Sequence, residues 1–241
     1  MKKILSAVSI ALLTLVSLSS NAQERVLTFG VQFKPMLPVS FLNARTVSKT
    51  ENNVTYSNNQ QFGYNAGGMI RYGISDRFSI ESGISYVQRN FNLKVDSLNN
   101  SFEANMDYRL IGYEIPVMGL VFIQLDDRVY MTAGMGGVID LFPSDVFSEA
   151  DRGDYVHETV RRSWIQGSVM ANLGFEFRHK KHGIFYVGGS FHQPFDSFYL
   201  SKIGFFDSPL TENTLDIEGT YLTLDFRYYF PEPPMKKKVK E

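Results

Sequence analysis

Residues 220–230 read TYLTLDFRYYF, and this stretch decides the fold class. Alternate positions from Leu222 to Phe230 are apolar or aromatic, and the positions between them include Thr, Asp and Arg. A period of two predicts a β-strand whose two faces meet different environments. In a soluble protein the apolar face would lie in the core, whereas in a membrane barrel it would face lipid. The rest of the sequence distinguishes these two arrangements.

The N-terminal residues predict an export signal rather than part of the fold. Residues 1–3 (MKK) form a short basic segment, residues 4–18 are mainly apolar, and residues 20–22 supply the small side chains that a signal peptidase requires. We therefore expect residues 1–22 to be removed and the mature chain to begin at Gln23. The chain has no Cys, so it offers no disulfide and no thiolate metal ligand. Its formal net charge of -1 argues against a nucleic-acid partner.

Eight segments with alternating hydrophobicity follow the predicted signal. Three of the connections are short turns rich in Asp, Gly and basic residues, and the others are long polar stretches. Short periplasmic turns that alternate with long external loops are typical of outer-membrane barrels. The predicted strands are residues 25–34, 62–74, 77–91, 107–124, 129–141, 161–178, 184–195 and 219–230. The long polar stretches are residues 35–61, 92–106, 142–160 and 196–218.

The distribution of lysine favours the membrane barrel over a soluble, lipocalin-like barrel. A strand face in water usually carries Lys, but the eight predicted strands contain only Lys34. Their polar faces carry Gly, Ser, Thr, Asn and a few charges of both signs, which suits a crowded interior. Aromatic residues near the strand ends suit the girdles of a membrane barrel.

The chain is therefore predicted to be all-β. Residues 23–230 should form an eight-stranded antiparallel up-and-down transmembrane β-barrel with long external loops and short periplasmic turns. Eight strands enclose an interior just wide enough for side chains to fill. Residues 231–241 contain prolines and lysines that cannot extend a strand, and we expect them to form a short basic periplasmic tail.

Several motifs resemble those of the PorT-like small outer-membrane β-barrel family of Bacteroidota. They are the end of the signal at 20–23, FGVQFKP at 29–35, YEIP at 113–116, AGMGG at 133–137 and FRYYF at 226–230. The resemblance implies an envelope barrel with no shared catalytic residues. A named member takes part in type IX protein secretion, so the resemblance also permits a role as an accessory barrel of a secretion machine.

Seven charged residues lie on the predicted inward faces. Pairing Tyr72 with Ile80 across the first turn places Arg71 opposite Glu81. Glu114 lies further from the periplasmic end and has no obvious partner. The set could form a charged constriction or a gated pore, but in a narrow lumen we favour a filler of paired charges. The predicted lumen charge network is Arg71, Glu81, Glu114, Glu176, Arg178, Asp225 and Arg227.

The closing strand carries a second predicted site. A final strand with alternating aromatic residues resembles the signal that the assembly machinery of outer membranes recognises. Phe226, Tyr228 and Phe230 are therefore candidates for an insertion signal.

Enzymatic chemistry has one candidate position in the third long stretch. His157 lies near Ser and Asp residues, and some outer-membrane barrels are rim-site hydrolases or transferases that act on lipid or peptide. No spacing identifies a catalytic triad, so we predict a non-enzymatic protein without catalytic residues. His179 and His182 lie in a short turn, where a structural role is favoured over a metal site. We predict neither a cofactor nor a metal.

The external stretches are the predicted interaction sites. Residues 43–61 are polar, have little to bury and are predicted to be mobile. Residues 142–160 and 196–218 contain apolar side chains, which either contact envelope or secretion proteins or pack over the mouth of the barrel. The predicted partners are outer-membrane lipids and, through these two stretches, envelope or secretion proteins.

Overall fold

The computed structural model describes residues 26–37, 46–51, 53–97, 102–149, 155–179, 181–205 and 213–231. The predicted signal peptide and nearly all of the predicted tail lie outside these ranges. Within them, no helix is long and apolar enough to cross a membrane. The described residues form fourteen β-strands: β1 (Leu27–Leu37), β2 (Thr46–Glu51), β3 (Val54–Gln60), β4 (Gly63–Gly73), β5 (Phe78–Ser97), β6 (Phe102–Gln124), β7 (Val129–Leu141), β8 (Val146–Glu149), β9 (Tyr155–Arg161), β10 (Ile165–His179), β11 (Gly183–Pro194), β12 (Tyr199–Phe205), β13 (Asn213–Ile217) and β14 (Tyr221–Tyr229).

Eight of these strands form a ring in which each strand pairs with two neighbours. The order around the ring is β1, β4, β5, β6, β7, β10, β11 and β14, and β14 pairs back with β1. Every pairing in the ring is antiparallel. This arrangement confirms the predicted all-β fold with eight antiparallel strands in up-and-down order.

Three short turns join the ring strands at one end, which we identify as the periplasmic end. They connect β4 to β5, β6 to β7 and β10 to β11. Gly183 begins β11 with a φ of 80°. This left-handed conformation is accessible to Gly because it has no Cβ.

The strands extend further at the opposite end than the sequence predicts. Residues 92–106 are not simply a loop, because β5 and β6 run through most of this stretch. Residues 35–61 contain the β2–β3 hairpin, and residues 142–160 and 196–218 contain β8, β9, β12 and β13. Reading these stretches as loops was wrong because a polar segment can also form a strand that has one face in water.

Strand β5 reverses the polarity of its two faces partway along its length. From Phe78 to Tyr86 the outward side chains are mainly apolar and the inward ones mainly polar. From Gln88 to Asp96 the outward side chains are Gln, Asn, Asn, Lys and Asp. The inward positions beyond Arg89 are the buried Phe91, Leu93 and Val95. The reversal marks the level at which the outer face of the barrel leaves lipid and enters water.

The external parts of the strands build a β-sandwich, which we call the external cap. One layer consists of the outer ends of β5 and β6 with the β2–β3 hairpin. The other layer is a separate four-stranded antiparallel sheet in the order β13, β12, β9, β8. The apolar core of the cap comprises Tyr56, Phe91, Leu93, Val95, Tyr108, Leu110, Phe142, Phe198, Tyr199, Ile203, Leu215 and Ile217.

The β2–β3 hairpin contradicts the predicted mobility of residues 46–51 and 54–60; residues 43–45 and 52 of that stretch lie outside the described ranges. Strand β3 pairs with β5 along its whole length, from Val54 opposite Ser97 to Gln60 opposite Phe91. The Tyr56 side chain is buried in the core of the cap. The prediction failed because a backbone ladder and one buried ring stabilise the hairpin, and neither is visible in local composition.

The outer surface of the ring is an apolar belt with aromatic side chains at both borders. Towards the external end, Phe33, Tyr64, Tyr86 and Tyr113 form a chain of ring contacts with centroids 5.9–6.1 Å apart. At the periplasmic end, Tyr228 contacts both Phe185 and Phe230. The exposed apolar side chains between these borders include Val31, Ile70, Ile84, Val117, Val169, Leu173, Phe175, Val187, Leu224 and Phe226. The apolar face of the closing strand therefore faces lipid.

Candidate functional site in the barrel lumen

The periplasmic half of the lumen is occupied by a network of charged side chains. The register of β4 and β5 places Arg71 directly opposite Glu81, and Arg71 Nε donates a 3.1 Å hydrogen bond to Glu81 Oε2. Arg227 Nη1 lies 2.8 Å from Glu81 Oε1. Across the lumen, Arg71 Nη1 lies 2.7 Å from Glu176 Oε1, and Arg178 Nη2 lies 3.0 Å from Glu176 Oε2.

A tyrosine from the last strand joins this network. The Tyr229 hydroxyl donates a 2.5 Å hydrogen bond to Glu81 and accepts one of 2.5 Å from Arg71 Nη2. The Arg71 guanidinium also lies 3.8 Å from the centroid of the Tyr229 ring. The aromatic side chain thus fills space and supplies hydrogen bonds that the charges need once water is excluded.

Asp225 is the acceptor at the centre of the closing strand. It accepts hydrogen bonds from Arg227 Nη2 at 2.5 Å, Ser190 Oγ at 2.5 Å and Thr223 Oγ1 at 2.6 Å. Lys34 Nζ lies 3.6 Å from the same carboxylate. These side chains all point inward because they occupy alternate positions of β1, β11 and β14.

Glu114 belongs to a second network, nearer the external end. Its Oε1 accepts hydrogen bonds from Arg89 Nη2 at 2.9 Å and from the Tyr221 hydroxyl at 2.6 Å, and its Oε2 accepts one of 2.8 Å from Asn65. Glu114, for which the sequence offers no obvious partner, therefore has three partners in the structure. Arg89 lies on an adjacent strand and Tyr221 on a distant one, so the tilt of the strands brings them to the same level.

Asp140, Ser168 and His192 complete the external network. Ser168 Oγ donates a 2.6 Å hydrogen bond to Asp140 Oδ2 and lies 2.8 Å from His192 Nε2. His192 Nε2 lies 3.3 Å from Asp140 Oδ1 and 3.8 Å from Glu114 Oε1. All of these side chains are buried.

Charges of the two signs are balanced in the part of the lumen that the structure describes. Each of the ten charged side chains has an opposite charge within 4.0 Å. Sequence reasoning left four members out of the lumen network: Lys34, Arg89, Asp140 and His192. Their inward direction was available from strand alternation, but their mutual contacts were not. The basic members are Lys34, Arg71, Arg89, Arg178 and Arg227, and the acidic members are Glu81, Glu114, Asp140, Glu176 and Asp225.

Little space remains in the middle of the lumen, whereas a cavity of about 400 Å³ at the periplasmic mouth borders Arg71 and Arg178. A cavity in the middle of the lumen, bordered by Gln32, Lys34, Met118, Met170 and other inward side chains, has a volume of about 10 Å³. A single water needs roughly 10–15 Å³ of such volume. This cavity is therefore too small for more than about one water molecule.

The aromatic core of the external cap closes the lumen from above. The rings of Phe142 and Phe198 stack with their centroids 5.2 Å apart. The Arg89 guanidinium lies 4.7 Å from the Phe198 centroid and 5.2 Å from the Tyr221 centroid. Of the two alternatives for the apolar side chains in the external stretches, packing over the mouth of the barrel describes Phe142, Phe198 and Tyr199.

The histidine of the external cap, His157, does not have the environment that a rim-site enzyme needs. His157 is buried in the cap, where its Nε2 lies 2.8 Å from Ser201 Oγ and its ring contacts Tyr108. Burial lowers the pKa of His157 to about 4. Its Nδ1 has no hydrogen-bond partner among the described residues, so no carboxylate orients the ring there.

The histidines of the third periplasmic turn have a local structural role. His179 Nδ1 accepts hydrogen bonds from the backbone N–H groups of Lys181 and His182, at 3.2 and 3.3 Å. The two imidazole rings lie 4.4 Å apart. These contacts shape the turn between β10 and β11.

Comparison with known proteins identifies the family. Residues 21–231 match the family described as outer membrane protein beta-barrel domain. The structure is similar to that of OprG from Pseudomonas aeruginosa, with 12% sequence identity, a TM-score of 0.55 and coverage of 87% of this chain and 98% of OprG. It is more distantly similar to the transport unit of the autotransporter AIDA-I from Escherichia coli, with 10% identity, a TM-score of 0.35 and coverage of 94% and 97%.

No curated protein matches the sequence. The family match spans the whole eight-stranded ring and the external cap described above. The apolar belt, the aromatic borders and the polar lumen are the features by which such a barrel is adapted to an outer membrane. The chain belongs to the outer membrane protein beta-barrel domain family.

Proposed function

We propose that this protein is a non-enzymatic, non-conducting outer-membrane barrel that holds an external β-sandwich at the cell surface. The observation that carries the proposal is the double closure of the lumen. Paired charges and other inward side chains close its middle, and the aromatic core of the cap lies over its external end. The ring is thus an anchor, and the cap is the part that meets other molecules.

The paired charges support an anchor rather than a pore. A conducting path would have to separate ion pairs such as Arg71–Glu81 and Arg227–Asp225, which are at most 3.1 Å apart and almost inaccessible to solvent. A buried charge that loses its partner is strongly unfavourable. Opening a path between these side chains would leave several such charges unpaired, which supports the closed arrangement.

The hydrolase or transferase alternative has less support. A nucleophile–histidine–carboxylate site needs a base that substrate can reach and an acidic group that orients it. His157 and Ser201 are both buried, and the second ring nitrogen of His157 is unpaired among the described residues. We therefore retain the non-enzymatic function.

Planar-bilayer recording tests this function directly. Purified protein should insert without producing a stable conductance, and an open porin reconstituted in the same membrane is the positive control. A large, steady channel from this protein alone would refute the sealed lumen.

A narrower form of the proposal assigns the cap to a secretion machine. The PorT-like motifs support this assignment. The four-stranded sheet of the cap (β13, β12, β9 and β8) is the surface that we assign to such a partner. Glu158 is exposed on that sheet, whereas Asp127 is exposed on a periplasmic turn. A photoreactive side chain at position 158 should give more cross-linked envelope protein in intact cells than the same group at position 127. Equal yields at the two positions would argue against the cap as the interaction surface.

A further inference from the structure

We propose that Glu114, Asp140 and His192 bind a divalent transition-metal ion of the zinc class at the external end of the lumen. One donor atom from each side chain lies within 4.8 Å of the other two. An imidazole with two carboxylates is a donor set that suits zinc. The inference goes beyond the anchoring function and does not depend on whether the cap has a protein partner.

The donor distances suit a compact ion. Bonds of about 2.0–2.2 Å in a tetrahedral arrangement separate donor atoms by about 3.3–3.6 Å. His192 Nε2 lies 3.3 Å from Asp140 Oδ1 and 3.8 Å from Glu114 Oε1. The three donor atoms lie within 4.8 Å of one another, so Glu114 would have to move towards the other two side chains for all three to bind one ion, and a water molecule would supply a fourth ligand.

One oxygen of the cluster is poorly satisfied, which is the second observation that points to a ligand. Asp140 is 2% exposed, and its Oδ1 has no hydrogen bond of good geometry among the described residues; its nearest polar contacts are His192 Nε2 at 3.3 Å and Arg89 at 4.0 Å. The same oxygen is the one directed at His192 Nε2. A buried carboxylate oxygen with such weak contacts is costly, and coordination of a cation would reduce that cost.

Neighbouring side chains hold the donors in place. Asn65 and Tyr221 donate to Glu114, Ser168 donates to Asp140, and the His192 ring stacks on Tyr221 with centroids 4.5 Å apart. Such outer contacts orient the ligands of metal sites.

The neighbouring charge also favours a cation on the Asp140 side. Arg89 lies 2.9 Å from Glu114 but 4.0 Å from Asp140. The negative charge on the Asp140 side is therefore the less compensated of the two.

Cobalt binding tests the site with a spectroscopic readout. The full chain should be refolded in detergent after treatment with a chelator, with Co²⁺ or Zn²⁺ present during refolding because the cap closes over the site. We expect about one Co²⁺ per chain with a tetrahedral visible absorption spectrum, and a higher temperature for the heat-induced gel-mobility shift with Zn²⁺. His192→Ala should lose both effects, and Asp140→Asn should weaken Co²⁺ binding at least tenfold.

Two control variants separate this site from other histidines. His157→Gln and the double variant His179→Gln/His182→Gln should retain the spectrum, because these residues lie in the cap and in a periplasmic turn. Folding of every variant is verified by its heat-dependent gel mobility. If His192→Ala does not fold, Asp140→Asn is the variant that tests the site. Binding that survives in folded Asp140→Asn and His192→Ala, or that vanishes in the turn double variant, would overturn the proposal. Absence of metal binding by the unmodified protein would do the same.

Discussion

Arg71 illustrates how a single charge is accommodated in the lumen. Its guanidinium contacts two carboxylates, Glu81 and Glu176, and lies against the Tyr229 ring. Each contact comes from a different strand of the ring, so no single hairpin could satisfy the side chain. Alternation in the sequence predicts the contact with Glu81, because the two residues lie in adjacent strands. It does not predict the contact with Glu176, because that depends on the tilt of strands on opposite sides of the barrel.

Removing Arg71 should destabilise the barrel more than removing the pair. Arg71→Ala leaves Glu81 and Glu176 buried with fewer partners, and we expect a loss of about 3–5 kcal/mol in the free energy of unfolding. Arg71→Met with Glu81→Leu should cost less, because Glu176 keeps Arg178 and Arg227 keeps Asp225. Urea unfolding followed by the single Trp residue, Trp164, measures both values. A single variant no less stable than the double variant would contradict the pairing.

Phe230 remains a predicted insertion signal and can be separated from a stability effect. Its side chain is exposed at the periplasmic border of the belt and contacts Tyr228. Its backbone N–H donates to Phe29 O, a bond that Phe230→Ala retains. The variant should therefore reach the outer membrane at a lower level while its refolded form unfolds at nearly the same urea concentration. Normal outer-membrane levels would remove Phe230 from the signal.

At the scale of the strand, period-two alternation predicts the membrane part of the fold well. Lipid and lumen impose opposite preferences on adjacent residues, so strands such as β7 begin and end as predicted. The external cap could not be predicted in the same way. Above the membrane, β5 still alternates, but its apolar side chains point inward. A sequence pattern gives the period and not the direction of the apolar face.

A charge placed at two levels of β5 should distinguish the two environments. Ile84 and Asn92 both point outward, but Ile84 lies in the apolar belt and Asn92 lies beside Asp107 in the cap. We expect Ile84→Arg to cost ~2–4 kcal/mol, as Arg does near the bilayer midplane, and Asn92→Arg to cost ~0–1 kcal/mol. Unfolding in lipid vesicles measures both changes. Similar costs at the two positions would place the membrane border elsewhere on β5.

The cap should lose stability in mild acid because His157, on β9, is buried in its neutral form. The pKa of His157 is about 4 in the folded cap because of burial, against an ordinary value of 6.5. Between these values the unfolded chain binds a proton that the folded cap does not bind, so stability falls as the pH decreases from about 6.5 to about 4. The full loss corresponds to about 3 kcal/mol at ~1.4 kcal/mol per pKa unit.

Urea unfolding of the cap at pH 7, 5.5 and 4, followed by Trp164 fluorescence, measures this dependence. Trp164 adjoins the cap, since its carbonyl accepts a hydrogen bond from the backbone N–H of Phe142. His157→Gln should remove the His157 part of the slope and keep a side chain that can bond to Ser201. An unchanged slope in His157→Gln would show that other groups cause the acid sensitivity.

The whole molecule should resist unfolding by detergent at room temperature. Every strand of the ring is paired on both sides, so the backbone presents no edge at the level of the membrane. We expect unboiled protein to migrate at a different apparent mass from boiled protein in a denaturing gel. Identical mobility, together with a pool of protein in the soluble periplasmic fraction, would contradict the membrane barrel.

The reversal of polarity on β5 also determines how deep the molecule sits. The apolar outward stretch from Phe78 to Tyr86 spans about 27 Å along the strand, or about 20 Å along the membrane normal at a tilt of 35–45°. If the barrel moved towards the periplasm, Gln88 and then Asn90 would enter hydrocarbon. If it moved away from the cell, apolar side chains at the external border would be exposed to water. The barrel therefore has a preferred immersion depth. In a thicker membrane the lipids around it should thin to meet the belt, which favours membrane regions that are already thin.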